Sequence, residues 1–172
     1  YLETYEHLVV WAGSLDLVPE ESVQRLRQQA ARNPDEAEAV LSGARNLRSD
    51  LYAALTDPDP ARDVLDGLGG AIRAAGADIC VDHSRAGGLR LEHDPSALTL
   101  PVHAFADAAR DLVQAGLAGD VGRCPGTGCG WLFLRNGRSR RWCIMSICGN
   151  RAKARRYSER RRATRVTGAA SA

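Results

Sequence analysis

Apolar side chains recur every three or four positions through most of the first 118 residues, which is the spacing of helices with one buried face. The longest such stretch runs from Pro34 to about Thr56, with Asn33 placed to cap the helix and Pro34 suited to its first turn. Its buried face is predicted to comprise Ala37, Val40, Leu41, Ala44, Leu47, Leu51 and Leu55. The same spacing predicts shorter helices at residues 1–12, between Pro19 and Asn33, at 61–75 and at about 101–115.

The period changes to that of β-strands before the last of these helices. Two short segments, 79–82 and 89–93, flank a loop that contains two glycines, a pattern typical of a β-hairpin. Residues 1–118 are therefore predicted to form a mainly helical domain with one β-hairpin near residues 79–93.

No arrangement of residues in this domain points to catalysis. The four histidines are scattered, and no H-E-x-x-H, G-x-S-x-G or phosphate-loop pattern occurs. His83 and His93 are expected on facing strands and could approach each other, but such pairs are more often structural groups than ligands. Cys80, in an apolar strand, is expected to behave as a small hydrophobic residue. The sequence thus predicts a protein that is not an enzyme.

Charge divides the chain into two different parts. Residues 1–120 contain 10 Arg and no Lys against 20 acidic residues, whereas residues 121–172 contain 12 Arg and Lys153 against Glu159 alone. The formal net charge of +2 conceals this division. Such segregation indicates that the basic part binds a polyanion, or that the two parts pack on each other.

Four cysteines in the basic part have the spacing C-x4-C-x13-C-x4-C, and these are Cys124, Cys129, Cys143 and Cys148. Two close pairs joined by a hairpin-length segment can place four thiolates at the corners of a tetrahedron, as structural Zn²⁺ requires. Two disulfides are the alternative, but pairs that bracket a hairpin and precede a basic helix fit a tetrathiolate site better. Residues 121–163 are too few for a core alone to stabilise, so the metal is expected to contribute.

Local signals predict how residues 121–163, which we call the finger, fold. The glycines within residues 124–130 are typical of a knuckle that turns backbone amides toward the thiolates. A strand is predicted at Trp131–Leu134, a hairpin turn at Asn136-Gly137 and a returning strand at Arg140–Cys143.

A basic helix is predicted after the last cysteine. Asn150 is expected to cap it, the helix runs from Arg151 to about Ala163, and residues 164–172 are expected to form a flexible tail. Nearby arginines, such as Arg123, Arg141 and Arg151, could simply offset the negative charge of a tetrathiolate zinc centre. The predicted nucleic-acid contacts on the hairpin and helix are Arg138, Arg140, Arg141, Arg151, Lys153, Arg155, Arg156, Arg160 and Arg162.

These residues resemble the CGNR-type zinc fingers of bacteria. The resemblance covers about residues 121–158 and rests on Gly130–Phe133, on Ser139–Cys143 and on Cys148–Tyr157, which begins with the Cys-Gly-Asn-Arg motif. It implies a small treble-clef-like module with the four cysteines as Zn²⁺ ligands. The chain departs from the family pattern at Arg135, where an acidic residue is common, and in a shorter hairpin loop.

In such proteins the finger follows an N-terminal domain named ABATE. Residues 1–118 look similar to that domain in length, in helical content and in the hairpin before the last helix. The resemblance implies a stress-induced bacterial transcription regulator that binds DNA in the cytoplasm, and a homodimer through the N-terminal domain is a further expectation. No membrane contact is expected, because no stretch approaches the roughly 20 apolar residues of a membrane span.

Two other functions remain open on the sequence alone. The finger could be an interaction module that docks RNA or an acidic protein. The N-terminal domain could instead bind a small molecule or act as an enzyme, with the finger as an accessory. A pocket lined by His83, His93 or Arg90 would favour that function.

Overall fold

The computed structural model describes residues 2–83, 88–135 and 140–169. Within these ranges the chain is mainly helical with two small antiparallel sheets, which confirms the predicted fold class. It divides into two compact units, Tyr1–Gly116 and Leu117–Ala172.

Helices build most of the N-terminal unit, close to the positions that the apolar spacing predicts. They are α1 (Tyr5–Ser14), α2 (Glu20–Arg32), α3 (Pro34–Thr56), α4 (Arg62–Ala77) and α5 (Leu100–Gln114). Asn33 precedes α3 as expected, but its predicted capping bond is wrong. Its side-chain amide instead turns back toward α2 and donates to the carbonyl of Gln29 at 3.2 Å, which also accepts from the backbone N–H of Asn33 at 3.0 Å.

Two hydrophobic clusters hold these helices together. The largest fully buried side chains of the first are Leu8, Val9, Leu26, Leu41 and Leu98. The second joins α3, α4 and α5 through Leu47, Leu68, Ala75, Ala106 and Ala109. The predicted buried face of α3 is confirmed from Ala37 to Leu47, while Leu51 and Leu55 are half-buried.

One buried polar group fixes the first cluster to the segment before α5. The Tyr5 hydroxyl donates to the carbonyl of Leu98 at 2.7 Å. Burial, assisted by the charge of Glu36, raises the pKa of Tyr5 well above its usual value. The phenol therefore stays a neutral donor, and the buried carbonyl keeps its partner.

The hairpin consists of β1 (Ile79–His83) and β2 (Leu89–His93), which pair antiparallel. The register places His83 opposite Leu89 and His93 opposite Ile79, at opposite ends of the hairpin. The expected approach of His83 to His93 is therefore wrong, because the two histidines are not cross-strand partners. The predicted loop residues 84–87 lie outside the described residues.

One face of the hairpin is apolar and exposed. Val81, Leu89 and Leu91 expose 65%, 70% and 70% of their surface, and Val81 pairs with Leu91. Cys80 is exposed as well, so the expectation that it packs as a small hydrophobic residue is wrong. It alternates with Val81 along the strand and faces the polar side, opposite Glu92.

The C-terminal unit begins with a 3₁₀ turn at Leu117–Asp120 and a short sheet of β3 (Val121–Arg123) and β4 (Leu132–Leu134). The sheet pairs β4 with the preceding β3, with Gly122 opposite Phe133.

The predicted returning strand at Arg140–Cys143 is wrong, since these residues have no strand geometry. The knuckle itself reverses the chain, and backbone bonds from Cys124 to Trp131 at 2.9 Å and from Arg135 to Asp120 at 2.8 Å extend the β3–β4 pairing at both ends. The predicted turn at Asn136-Gly137 lies outside the described residues.

A π-helical turn at Met145–Gly149 leads directly into α6 (Asn150–Ala169). The predicted cap at Asn150 is therefore wrong, because the residue already has helical backbone angles and its side chain donates to the carbonyl of Ser146 at 3.1 Å. The helix continues beyond the predicted end at Ala163, and the flexibility expected of the tail stays a prediction.

None of the helices in the described ranges combines the length and the apolar character needed to cross a lipid bilayer.

Candidate metal centre and basic surface

The four cysteines come from two places in the C-terminal unit. Cys124 and Cys129 lie on the knuckle between β3 and β4, Cys143 precedes the π-helical turn, and Cys148 lies on that turn. Their sulfurs all lie within 4.8 Å of one another. The fold thus brings together the complete set of residues that the spacing predicts as metal ligands.

The sulfur separations match tetrahedral coordination. The Sγ atoms of Cys129, Cys143 and Cys148 form a triangle with three sides of 3.6 Å. With Zn–S bonds of about 2.3 Å, an ideal tetrahedron has sulfur separations of about 3.8 Å. A disulfide needs about 2.05 Å, and all four cysteines are free thiols. The disulfide alternative therefore does not fit, and the donor set fits one four-coordinate ion.

The π-helical turn explains how two cysteines five positions apart reach the same point. On a regular α-helix that spacing separates side chains by about 140°. Cys143 lies before the turn, and Ile144 accepts from the amides of Cys148 at 2.9 Å and Gly149 at 3.4 Å, so the turn is one residue wider than an α-helical turn. The helical segment begins before Cys148, not after it as the sequence suggests.

Glycines let the knuckle approach the sulfurs closely. A Cβ atom at Gly126 would lie 3.3 Å from the Cys148 sulfur and 3.4 Å from the Cys124 sulfur. Gly128 and Gly130 have φ angles of 69° and 67°, a region that favours glycine. The sequence prediction of a glycine-dependent knuckle agrees with this geometry.

The thiols have unequal acidities. Burial raises the pKa of Cys124, but backbone N–H groups of Cys143 and Gly126 outweigh this and lower that pKa to about 7. Contacts with Cys129 and Cys143, followed by burial, raise the pKa of Cys148 to about 12. Burial is also the largest cause of the raised pKa of Cys143. Without an ion, the cluster thus holds one readily ionised thiol beside neighbours that retain protons.

The basic helix exposes nearly all of its charge. From Asn150 to Arg162 the side chain of Ala152 is buried, and the charged side chains around it are exposed. Of the predicted nucleic-acid residues, the exposed ones on α6 are Arg151, Lys153, Arg155, Arg156, Arg160 and Arg162. Arg161 belongs to the same exposed set, although the sequence analysis did not select it. Its guanidinium lies 5.8 Å from the ring centroid of Tyr157.

Some of these cations also bind within the finger. Arg155 donates to the Thr127 hydroxyl on the knuckle, and Arg156 lies 3.4 Å from the carbonyl of Ala152. Arg140 donates to the carbonyls of Leu134 at 3.3 Å and Cys143 at 2.7 Å. Arg140 thus joins the end of β4 to the segment that bears Cys143. Arg138, also a predicted contact, lies outside the described residues.

A shallow cleft of about 560 Å³ lies beside the knuckle in the same unit. Its lining comprises Asp120, Arg123, Pro125, Phe133, Arg135, Arg140 and Arg141. The guanidinium of Arg140 lies 4.9 Å from the centroid of the Phe133 ring. Arg140 and Arg141 are among the predicted contacts, whereas Arg123 and Arg135 are not, because their place in this cleft depends on the fold and no linear spacing reveals it.

Comparison with known proteins adds one positive finding. Residues 121–161 match the family model of the CGNR zinc finger. A search of curated proteins gives no match. Four clustered cysteines within a matched zinc-finger segment indicate zinc binding. The chain therefore contains a CGNR zinc finger at residues 121–161.

Proposed function

We propose that the protein is a non-enzymatic transcription regulator that binds DNA through its zinc finger, in the cytoplasm of a bacterium. The observation that supports this most strongly is α6, a helix whose charged side chains are exposed from Arg151 to Arg162. The resemblance of residues 1–118 to ABATE domains supports a stress-related role for the N-terminal unit.

The composition of α6 favours a polyanion as its partner. A helix that is polar on all sides gains little from its own packing. Within its described side chains, Glu159 is the one acidic residue among many cations, so these charges repel one another. A row of phosphates would neutralise that repulsion, and release of the phosphates' counterions would add to the binding free energy.

The cleft beside the knuckle supplies a second group of phosphate ligands. Arg123, Arg135 and Arg141 are among its lining residues, and planar guanidinium groups bind phosphate oxygens in pairs. Arg140, whose donors already bind backbone carbonyls, is better suited to hold the cleft in shape. We therefore assign DNA contacts to α6 and to the cleft.

The metal would have a structural role. Cys124, Cys129, Cys143 and Cys148 would hold Zn²⁺, which would supply the free energy that orders this small unit. Because Cys148 lies on the turn that continues into α6, its position fixes the start of the basic helix relative to the knuckle.

The salt dependence of DNA binding tests the proposal. In Arg151→Ala/Lys153→Ala, both altered side chains are exposed on α6. Each lost phosphate contact should reduce the slope of log K against log salt by about 0.9, so the double variant should lose about 1.8. Arg32→Ala, which removes an exposed cation at the end of α2, is the matched control and should keep the original slope. An unchanged slope in the double variant would remove α6 from the interface.

Sequencing of genomic fragments that the zinc-loaded protein retains at physiological salt tests specificity. A shared motif among the retained fragments is the result expected of a regulator. Uniform recovery would reduce the proposal to nonspecific binding of polyanions.

The hairpin supports a homodimer. Both strands of the β1–β2 sheet have an outer edge without a strand partner in the described residues. The adjacent face exposes Val81, Leu89 and Leu91. Unpaired edges and exposed apolar faces favour association with another chain. Light scattering of wild type and Leu91→Ser should show a dimer that the substitution dissociates, and a monomeric wild type would contradict this.

A second candidate function is the binding of RNA or an acidic protein. Trp131 and Tyr157 expose 71% and 62% of their surface in the finger, and exposed aromatic rings stack on unpaired bases. Competition by single-stranded RNA far better than by duplex DNA would favour this function.

Small-molecule binding by the N-terminal unit has weaker support. An apolar cavity of about 90 Å³ among Leu8, Trp11 and Phe105 is smaller than the roughly 300 Å³ of typical ligand pockets.

A further inference from the structure

A second group of side chains that are typical metal ligands lies within the N-terminal unit. Asp78, His93 and His103 each place one donor atom within 4.8 Å of the other two. Asp78 caps the end of α4, His93 ends β2, and His103 lies in the first turns of α5. His93 pairs with Ile79, the residue after Asp78, so the hairpin register brings these two side chains to one end of the sheet.

Both histidines are largely buried and close together. Their side chains are 10% and 12% exposed, and the ring centroids of His93 and His103 lie 5.4 Å apart. The Nδ1 atom of His103 lies 3.1 Å from Oδ2 of Asp78, a separation close to that of two ligands on one ion. The side chain of Asp78 is 42% exposed, so solvent reaches the group from one side.

One ring nitrogen in this group lacks a partner. Nε2 of His93 lies 2.6 Å from Oδ2 of Asp107, but its buried Nδ1 has no hydrogen-bond partner among the described residues. Buried polar groups in native proteins are nearly always hydrogen-bonded, so an unpaired one calls for an explanation. The other carboxylate oxygen of Asp107 lies 2.8 Å from Arg110, so that oxygen is charge-paired.

Around many metal sites, a carboxylate orients a histidine through one ring nitrogen while the other ring nitrogen binds the metal. Asp107 and His93 have this relation, and Arg110 holds Asp107 in turn. The unpartnered Nδ1 of His93 is then the atom that remains for an ion.

We propose that Asp78, His93 and His103 bind a divalent transition-metal ion, with Asp107 as the positioning residue for His93. Two imidazoles and one carboxylate favour zinc, cobalt, nickel or iron over magnesium and calcium. Metal–ligand bonds of about 2.0–2.2 Å require donor separations of about 3–4 Å, and donor atoms of the three residues already lie within 4.8 Å of one another. The remaining coordination positions face solvent on the Asp78 side and are open to water or an added ligand.

Cobalt titration of the untagged full chain separates this site from the finger. Co²⁺ on cysteine sulfur gives thiolate-to-metal charge-transfer absorption, whereas Co²⁺ on nitrogen and oxygen gives weaker ligand-field bands alone. Starting from metal-free reduced protein, the wild type should retain about two Co²⁺ per chain after gel filtration, one with each spectral signature.

Substitutions assign the second ion to these residues. His103→Ala and Asp78→Asn should each retain about one Co²⁺, with the thiolate absorption unchanged. The matched control is His7→Ala, an exposed histidine on α1, and it should retain about two. Asp107→Asn should keep the site but weaken its affinity about 10–100-fold, because Asp107 acts through His93.

Two results would overturn the proposal. One is a wild-type chain that retains only the thiolate-bound ion. The other is a full second equivalent in both His103→Ala and Asp78→Asn. If His103→Ala fails to fold, Asp78→Asn decides the question, because it keeps the size of a partly exposed side chain. Neither outcome depends on whether the finger binds DNA.

Discussion

At the scale of single residues, the cysteine cluster shows how backbone geometry sets the chemistry of a side chain. The pKa of Cys124 lies near 7 because amide groups of Cys143 and Gly126 point toward its sulfur, whereas the pKa of Cys148 is about 12. A metal ion needs all four thiolates, so binding expels the protons that the thiols still hold.

The affinity of the finger for zinc should therefore fall as the pH falls, and more steeply below about pH 7. Above that value Cys124 is already a thiolate and contributes no proton, while Cys143 and Cys148 still do. Below it Cys124 is protonated too, so the slope of log affinity against pH should rise by about one proton. Chelator competition between about pH 6 and 8 measures this slope, and Cys80→Ser, which removes the exposed fifth cysteine, should leave it unchanged. A constant slope through pH 7 would contradict the prediction.

Arg140 illustrates a basic residue whose main role is inside the finger. Removal of its bonds to Leu134 and Cys143 in Arg140→Ala should lower the free energy of unfolding of the finger by about 1 kcal/mol. Arg140→Lys should restore little, because an ammonium cannot reproduce the fork of donors.

The comparison that isolates this effect is Arg141→Ala, which removes the neighbouring exposed cation. It should leave unfolding by chelator or heat unchanged. A loss of DNA affinity in Arg140→Ala with no loss of stability would instead assign Arg140 to the interface.

At the scale of secondary-structure elements, the sequence predicts long helices well and strand partners poorly. The apolar spacing of α3 and the proline in its first turn, Pro34, are local signals, and the helix forms where they indicate. The partner of β4 is β3, across a knuckle that cysteine coordination shapes, and no local signal distinguishes β3 from the Arg140–Cys143 segment. The cysteine spacing predicts the ligands correctly because four thiolates must converge whatever the path between them.

The group formed by Asp78, His93 and His103 shows the same limit. These residues are far apart in sequence, and their convergence depends on the hairpin register and on the packing of α4 against α5. The sequence pairs His93 with the wrong histidine because it does not determine the register, and the observed register places Ile79, not His83, opposite His93.

Helix α6 should depend on the metal. Most helical stability in proteins comes from tertiary packing, and Ala152 is the one buried side chain of α6 among those described. Repulsion between its neighbouring cations destabilises the helix further. Removal of zinc should therefore lower the helical circular-dichroism signal by up to about a fifth, because α6 contributes about that share of the helical residues. Cys148→Ser should give the same loss without a chelator, and Cys80→Ser should not. Full helicity in the metal-free chain would contradict this dependence.

At the scale of the whole molecule, the two units have different sources of stability. The N-terminal unit has two hydrophobic clusters, whereas the C-terminal unit has a four-cysteine cluster and, among its described side chains, few that are buried and apolar. Opposite net charges accompany this difference, since the acidic residues lie mostly before residue 121 and the basic ones mostly after it.

A core substitution should therefore separate the two sources. Leu41→Ala, at a fully buried position on α3, should lower the free energy of unfolding by about 2–5 kcal/mol and leave the zinc content of the finger unchanged. Leu65→Ala, at a leucine that is 43% exposed on α4, should change stability by less than about 0.5 kcal/mol. Denaturant unfolding and metal analysis measure both quantities. Loss of zinc in Leu41→Ala would show that the finger depends on the N-terminal core.

The continuous path from Cys148 into α6 has a consequence for control in the cell. If the finger binds DNA as proposed, a ligand of the metal and the start of the DNA-binding helix belong to one uninterrupted helical segment. The supply of zinc would then control activity. A zinc-deficient cell would hold the same number of protein molecules, but fewer of them could bind DNA. By reciprocity, occupied DNA would retain zinc against competing chelators, so bound copies would be the last to lose activity.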